Sequence, residues 1–182
     1  MKKLALLAFF ALITFAVDAQ DVKFPGLDGS PADLAYFPSN AAQKNTAPDI
    51  KLVYSRPSKK GRAIFGELEK YGVVYRLGAN ESNEITFFKD VTIGGKAVKA
   101  GTYSLFAIPN KDNWTIIINS KINSWGAYSY EVAKDVVRTD VPVKTLTAPV
   151  EALAMIFTKT DNGASLNIGW DTVSVALPIT IK

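Results

Sequence analysis

Residues 91–118 read VTIGGKAVKAGTYSLFAIPNKDNWTIII, and this stretch decides the fold class. Val91-Thr92-Ile93 and Lys96-Ala97-Val98 flank Gly94-Gly95. Two consecutive glycines can both take positive φ, which the tightest two-residue hairpin turn requires. The register this predicts sets Ile93 opposite Lys96 and Val91 opposite Val98. Gly101 then opens a run from Thr102 to Ile108 that stops at Pro109. After the polar loop Asn110–Asn113 the chain returns as Trp114–Ile118. Trp114, Ile116 and Ile118 share one face at the period of two that marks a strand. The two runs predict a central hairpin buried on most of both faces.

The same alternation extends outward in both directions. Ile50, Leu52 and Tyr54 alternate with Lys51, Val53 and Ser55, and Pro57 ends that strand. Arg62–Phe65 is expected to pair briefly, Val73–Leu77 to form a clearer strand closed by Gly78, and Ile85–Lys89 to follow. Beyond the central hairpin, Val132–Asp135 suits one helical turn, and Val137, Thr139, Val141 and Val143 alternate. Val150–Thr158, Ala164–Trp170 and Val173–Ile179 then read as a three-stranded meander turning at Asp161-Asn162-Gly163 and Asp171-Thr172. That makes about ten strands, with turn signals at the roughly 8–12-residue spacing of sandwiches and barrels. The expected fold is an all-β antiparallel sandwich or jelly roll, with a closed barrel as the alternative. Trp114 and Trp170 are assigned to its core.

Met1–Ala19 has the pattern of a signal peptide. Lys2 and Lys3 precede an apolar run from Leu4 to Val17, and Val17 and Ala19 stand three and one residues before a cleavage ahead of Gln20. The run is short for a membrane span, so none is expected after cleavage. The expected location is the bacterial periplasm or the cell exterior. Gln20–Pro48, with four prolines and no sustained period, reads as a partly ordered N-terminal arm in which Pro31–Tyr36 suits one helical turn capped by Ser30. Residues 49–182 form the single domain.

Composition narrows the chemistry. The net charge of +4 falls to +3 when Lys2, Lys3 and Asp18 leave with the signal segment, which is too mild for a nucleic-acid partner. The chain has no cysteine and no histidine. Disulfides, thiol catalysis, a Ser-His-Asp triad and histidine-ligated zinc are therefore excluded. No phosphate-binding glycine loop is present, and Asp90, Asp112, Asn113 and Asp161 lack the fixed spacing of a calcium loop. Neither a metal nor a cofactor is expected.

The remaining chemical side chains gather in residues 53–87. Arg56, Arg62 and Arg76 lie there, with Arg138 the one arginine elsewhere, and glycines and tyrosines are interleaved. Guanidinium forks suit carboxylate and phosphate oxygens. A ligand pocket built from Arg56, Arg62, Arg76, Asn80 and Glu81, walled by Trp125 and Tyr128, would hold a small polar or anionic ligand or a glycan. Each of these residues also has a structural reading. The arginines can pair with Glu67, Glu69 or Glu81, Asn80 can fix a turn, and the aromatic residues can close a core. An envelope protein is the partner under that reading. A third possibility is a hydrolase using Glu81 and Glu84. A three-residue spacing on extended chain sets those two on opposite faces, so no catalytic residue is assigned.

Tyr54-Ser55-Arg56-Pro57, Gly61-Arg62, Ile64-Phe65-Gly66, Tyr75-Arg76, Gly78-Ala79-Asn80-Glu81 and Ile85-Thr86-Phe87 stand in this order. Gly101–Phe106, Ile108-Pro109 and Trp125-Gly126-Ala127-Tyr128 follow. In this combination the chain resembles the secreted bacterial family catalogued as domain of unknown function 2911, from about Asp49 to the C-terminus. Tyr75 departs from the tryptophan expected there. The resemblance implies a secreted bacterial domain and carries no activity.

Overall fold

The computed structural model describes residues 21–182, so the signal-segment expectation lies outside the described residues. Ten strands form two antiparallel sheets. The first contains β1 (Ala32–Phe37), β2 (Ile50–Ser55), β3 (Asn83–Phe87), β6 (Gly101–Pro109), β7 (Asn113–Asn119) and β8 (Asp135–Pro142), in that spatial order. The second is ordered β5 (Lys96–Val98), β4 (Val91–Ile93), β10 (Gly163–Ile181) and β9 (Lys144–Thr160). The sheets remain open and separate, which makes a β-sandwich and excludes the closed barrel.

The local expectations hold where the signal is local. Gly94 and Gly95 take φ of 55° and 76°, and Ile93 faces Lys96 while Val91 faces Val98. The β6–β7 hairpin lies inside the larger sheet, with Ser104–Ala107 and Ile116–Asn119 buried throughout. Between the sheets, Leu52, Ile85, Leu105 and Ile116 meet Leu153, Leu166, Ile168 and Leu177. Trp114 and Trp170 are both in this core, and Phe65 packs on both of their rings.

Four elements differ from expectation. Pro31–Tyr36 is not a helical turn, because Ala32–Phe37 pairs along the free edge of β2. Val73–Leu77 is not a regular strand. It makes one bridge, Tyr75 to Ala107, and then breaks at Leu77, whose φ is 55°. Residues 62–65 make a local bridge from Phe65 to Glu69 instead of joining a sheet. Asp171-Thr172 is a bulge rather than a turn, so the expected terminal meander is one long hairpin, β9–β10. Asp171 takes φ of 54° and pairs with Lys59 at 2.6 Å, which anchors the bend from outside the sheet.

The sheets are also tied by polar contacts. Met155 N–H donates to the Tyr54 hydroxyl at 3.0 Å, and that hydroxyl donates to Met155 O at 3.3 Å. Arg56 Nε donates to Leu153 O at 3.0 Å. Residues of β2 and its continuation thereby satisfy backbone groups of β9, the outer strand of the other sheet.

Candidate functional site

Strand alternation turns Phe106 and Ile117 away from the core, yet both are buried. The cover is the connection between β7 and β8, residues 120–134, whose Tyr130 ring meets Phe106 edge-on at 5.4 Å. Polar side chains fix this connection at its base. Asn119 donates to Glu131 O at 3.0 Å and to Asp135 Oδ1 at 2.8 Å. Ser104 Oγ donates to Lys121 O at 2.7 Å, and Lys121 Nζ donates to Ser129 O and pairs with Glu131. Val132–Lys134 forms a single 3₁₀ turn that returns the chain to β8.

A second connection, residues 76–82, lies against the first. Ser82 N–H donates to Ser124 O at 2.8 Å and Gly126 N–H to Asn80 O at 2.9 Å, bracketing a bridge between Glu81 and Trp125. Asn80 holds φ of 60°, a conformation that asparagine tolerates better than most residues. The buried Asn83 amide donates to Arg76 O at 3.0 Å and to Leu77 O at 2.7 Å, holding the bend in place. Gly78 fits closely here: a Cβ would lie 3.0 Å from Asn83 Oδ1 and 3.1 Å from Ser55 O, so those neighbours would have to give way.

The paired connections assemble Arg76, Asn80, Glu81, Trp125 and Tyr128. Trp125 is 59% exposed and Tyr128 84% exposed, although the segment carrying them is tied down. Between them Gly126 takes φ of 62°, and a Cβ there would lie 3.2 Å from Arg76 Nη1 and 3.1 Å from the Tyr128 ring. The guanidinium and the ring thus come within reach of one methyl-sized space. Arg76 Nε is buried without a partner. Among the described residues the Arg76 guanidinium makes neither a hydrogen bond nor an ion pair.

The other two arginines go elsewhere. Arg56 pairs with Asp33 of β1 at 2.9 Å and reaches β9. Arg62 donates to Lys59 O at 2.9 Å and to Ser58 O at 2.7 Å, closing its own turn. The three arginines therefore do not converge on one pocket.

Glu69 is the participant that sequence reasoning passed over except as an ion-pair partner. It forms no ion pair with any arginine among the described residues. Burial pushes its carboxyl up to about 7, against the opposing pull of Arg76 and then Arg62. The Tyr75 hydroxyl is raised well above its ordinary value, first by burial and then by Glu69. No spacing rule distinguishes Glu69 from Glu67, because its desolvation comes from the fold.

Beside the paired connections is a cleft of about 220 Å³, bordered by Val53, Ser55, Glu81, Asn83, Glu84 and Asn123 among others. Glu81 and Glu84 both border it, contrary to the opposite-face expectation, because Glu81 precedes β3 and follows the bend at Asn80. Among the described residues, no group of three or more Asp or Glu side chains is placed to hold a metal ion. Among the described residues, no helix is long and apolar enough to cross a membrane.

A sandwich with its candidate side chains on paired connections is a broad class, and comparison narrows it to one family. Residues 38–179 match the family described as "Protein of unknown function (DUF2911)", and the chain belongs to it. The match begins earlier than the resemblance from Asp49. Neither a curated protein nor a solved structure matches the chain.

Proposed function

We propose that this protein is an exported component of the bacterial envelope that binds a small polar or anionic ligand or a glycan without transforming it. One observation carries the reading: an arginine with no partner stands beside the exposed Tyr128 ring on a fixed segment. Arg76 is half-buried and its Nε lacks a partner, and an anion that accepts from the rest of the guanidinium would gain charge-assisted hydrogen bonds. Arg56 and Arg62 provide the contrast, since both are engaged in holding the fold. Aromatic faces suit sugar rings and other flat ligands.

Thermal unfolding of the mature chain across a panel of sugars, phosphates and carboxylates tests this. A ligand at 100 times its dissociation constant adds about 2.7 kcal/mol to stability. The expected result is a shift in the wild type that disappears in a folded Arg76→Ala variant. Silence across the whole panel at millimolar concentration overturns the reading. A second reading, a carboxylate-based hydrolase, draws on Glu81 and Glu84 bordering one cleft. It requires Glu81→Gln to abolish turnover of a glycoside while leaving the fold intact.

A further inference from the structure

We propose that the ligand is a sugar bearing a single carboxylate, which takes the Arg76 guanidinium as its partner while the ring lies on Tyr128. This rests on the binding reading above and specifies its ligand.

The charge inventory argues for one carboxylate. A planar guanidinium matches a carboxylate two bonds to two. Phosphate carries more charge and commonly gathers several cations. Here Arg76 stands alone, because Arg62 is spent on its own turn, Arg56 on Asp33, and Lys121 on Glu131 and Ser129 O. The Tyr128 ring argues for a sugar, since it is 84% exposed and lies across Gly126 from Arg76, next to the pairing of 80–82 with 124–126.

Glu69 adds a proton to the description. The charged and titratable groups within electrostatic reach of it are Arg76, Arg62 and the Tyr75 hydroxyl. Glu67 and Lys70 flank it in sequence. Below about pH 7 the Glu69 carboxyl is largely neutral and adds no counter-charge beside Arg76. As pH rises through that value, Glu69 ionises and opposes an incoming carboxylate. Binding of the acidic sugar is therefore accompanied by proton uptake, and affinity weakens by up to about tenfold per pH unit above 7.

The test is calorimetric titration of the mature chain at pH 6 and pH 8, in two buffers of different ionisation enthalpy. The probes are a galacturonate oligosaccharide, the neutral galactose oligosaccharide of equal length, and inorganic phosphate. The expected result is binding of the uronate at least tenfold tighter than either of the others, weaker at pH 8, with a buffer-dependent heat that reports proton uptake. Arg76→Lys and Tyr128→Ala should each lose at least tenfold in uronate affinity. Glu69→Gln should bind with a flat pH profile, and if it fails to fold, the wild-type buffer dependence decides the point. Equal binding of the neutral sugar, or tighter binding of phosphate, overturns the ligand class and leaves the binding reading standing. Uronate binding without proton uptake overturns the role of Glu69. If none of the three binds, the inference fails, and the wider unfolding panel then decides the binding reading separately.

Discussion

Glu69 makes a prediction about stability as well as binding. Its carboxyl is raised in the folded chain from an ordinary value of 4.5 to about 7, mainly by burial. The folded state therefore holds the proton more tightly than the unfolded state does. That contribution is fully present below about pH 4.5 and is lost as pH rises through about 7. Urea midpoints measured from pH 5 to pH 8 should fall for the wild type and fall less for Glu69→Gln, the gap between the two chains widening up to about pH 7 and being largest at pH 8. Equal slopes would show that Glu69 is hydrated in solution. The contrast between Glu69 and Arg76 shows what single residues reveal in sequence. Arg76 announces itself by type and by its glycine-rich setting, and Trp125 and Tyr128 by their crowding. Glu69 does not, because what distinguishes it is burial supplied by the surrounding fold.

At the level of elements, legibility follows the range of the interaction. The Gly94-Gly95 hairpin and its register depend on residues next to each other, and both were readable. The bulge at Asp171 was read as a turn, because Asp-Thr is turn chemistry and the partner that anchors it, Lys59, is far away in sequence. Ser30-Pro31 ahead of β1 reads as the start of a helical turn, and the open edge of β2 overrides that preference. The tie between β2 and β9 is a further long-range feature, and it can be measured. Tyr54→Phe keeps the ring and removes the oxygen, leaving the buried Met155 N–H and C=O without that partner. Stranding a buried polar group costs about 1–3 kcal/mol. Urea unfolding should show a loss of that size, whereas no loss would mean that water replaces the hydroxyl.

For the molecule as a whole, the sandwich extends beyond the residues that match the family. The matched residues begin at 38, but β1 occupies 32–37 and supplies Asp33 to Arg56. A chain starting at Pro38 would bare the backbone edge of β2, and bare edges recruit other strands. Size-exclusion chromatography should find the chain starting at Asp21 monodisperse and the one starting at Pro38 self-associated. If both run alike, β1 is dispensable. The fold class was legible because ten short alternating runs admit few arrangements. The site was legible only in part, because its two halves, residues 76–82 and 124–128, meet through backbone pairing that no residue type foretells.

The Tyr54 hydroxyl has one more consequence. Most amides in a sheet are locked by the neighbouring strand, so their protons report the fraying of that strand. The amide of Met155 is locked by a phenol from the opposite layer. Its exchange with deuterium should therefore time the parting of the two layers, giving this protein an internal clock for opening that needs no added label.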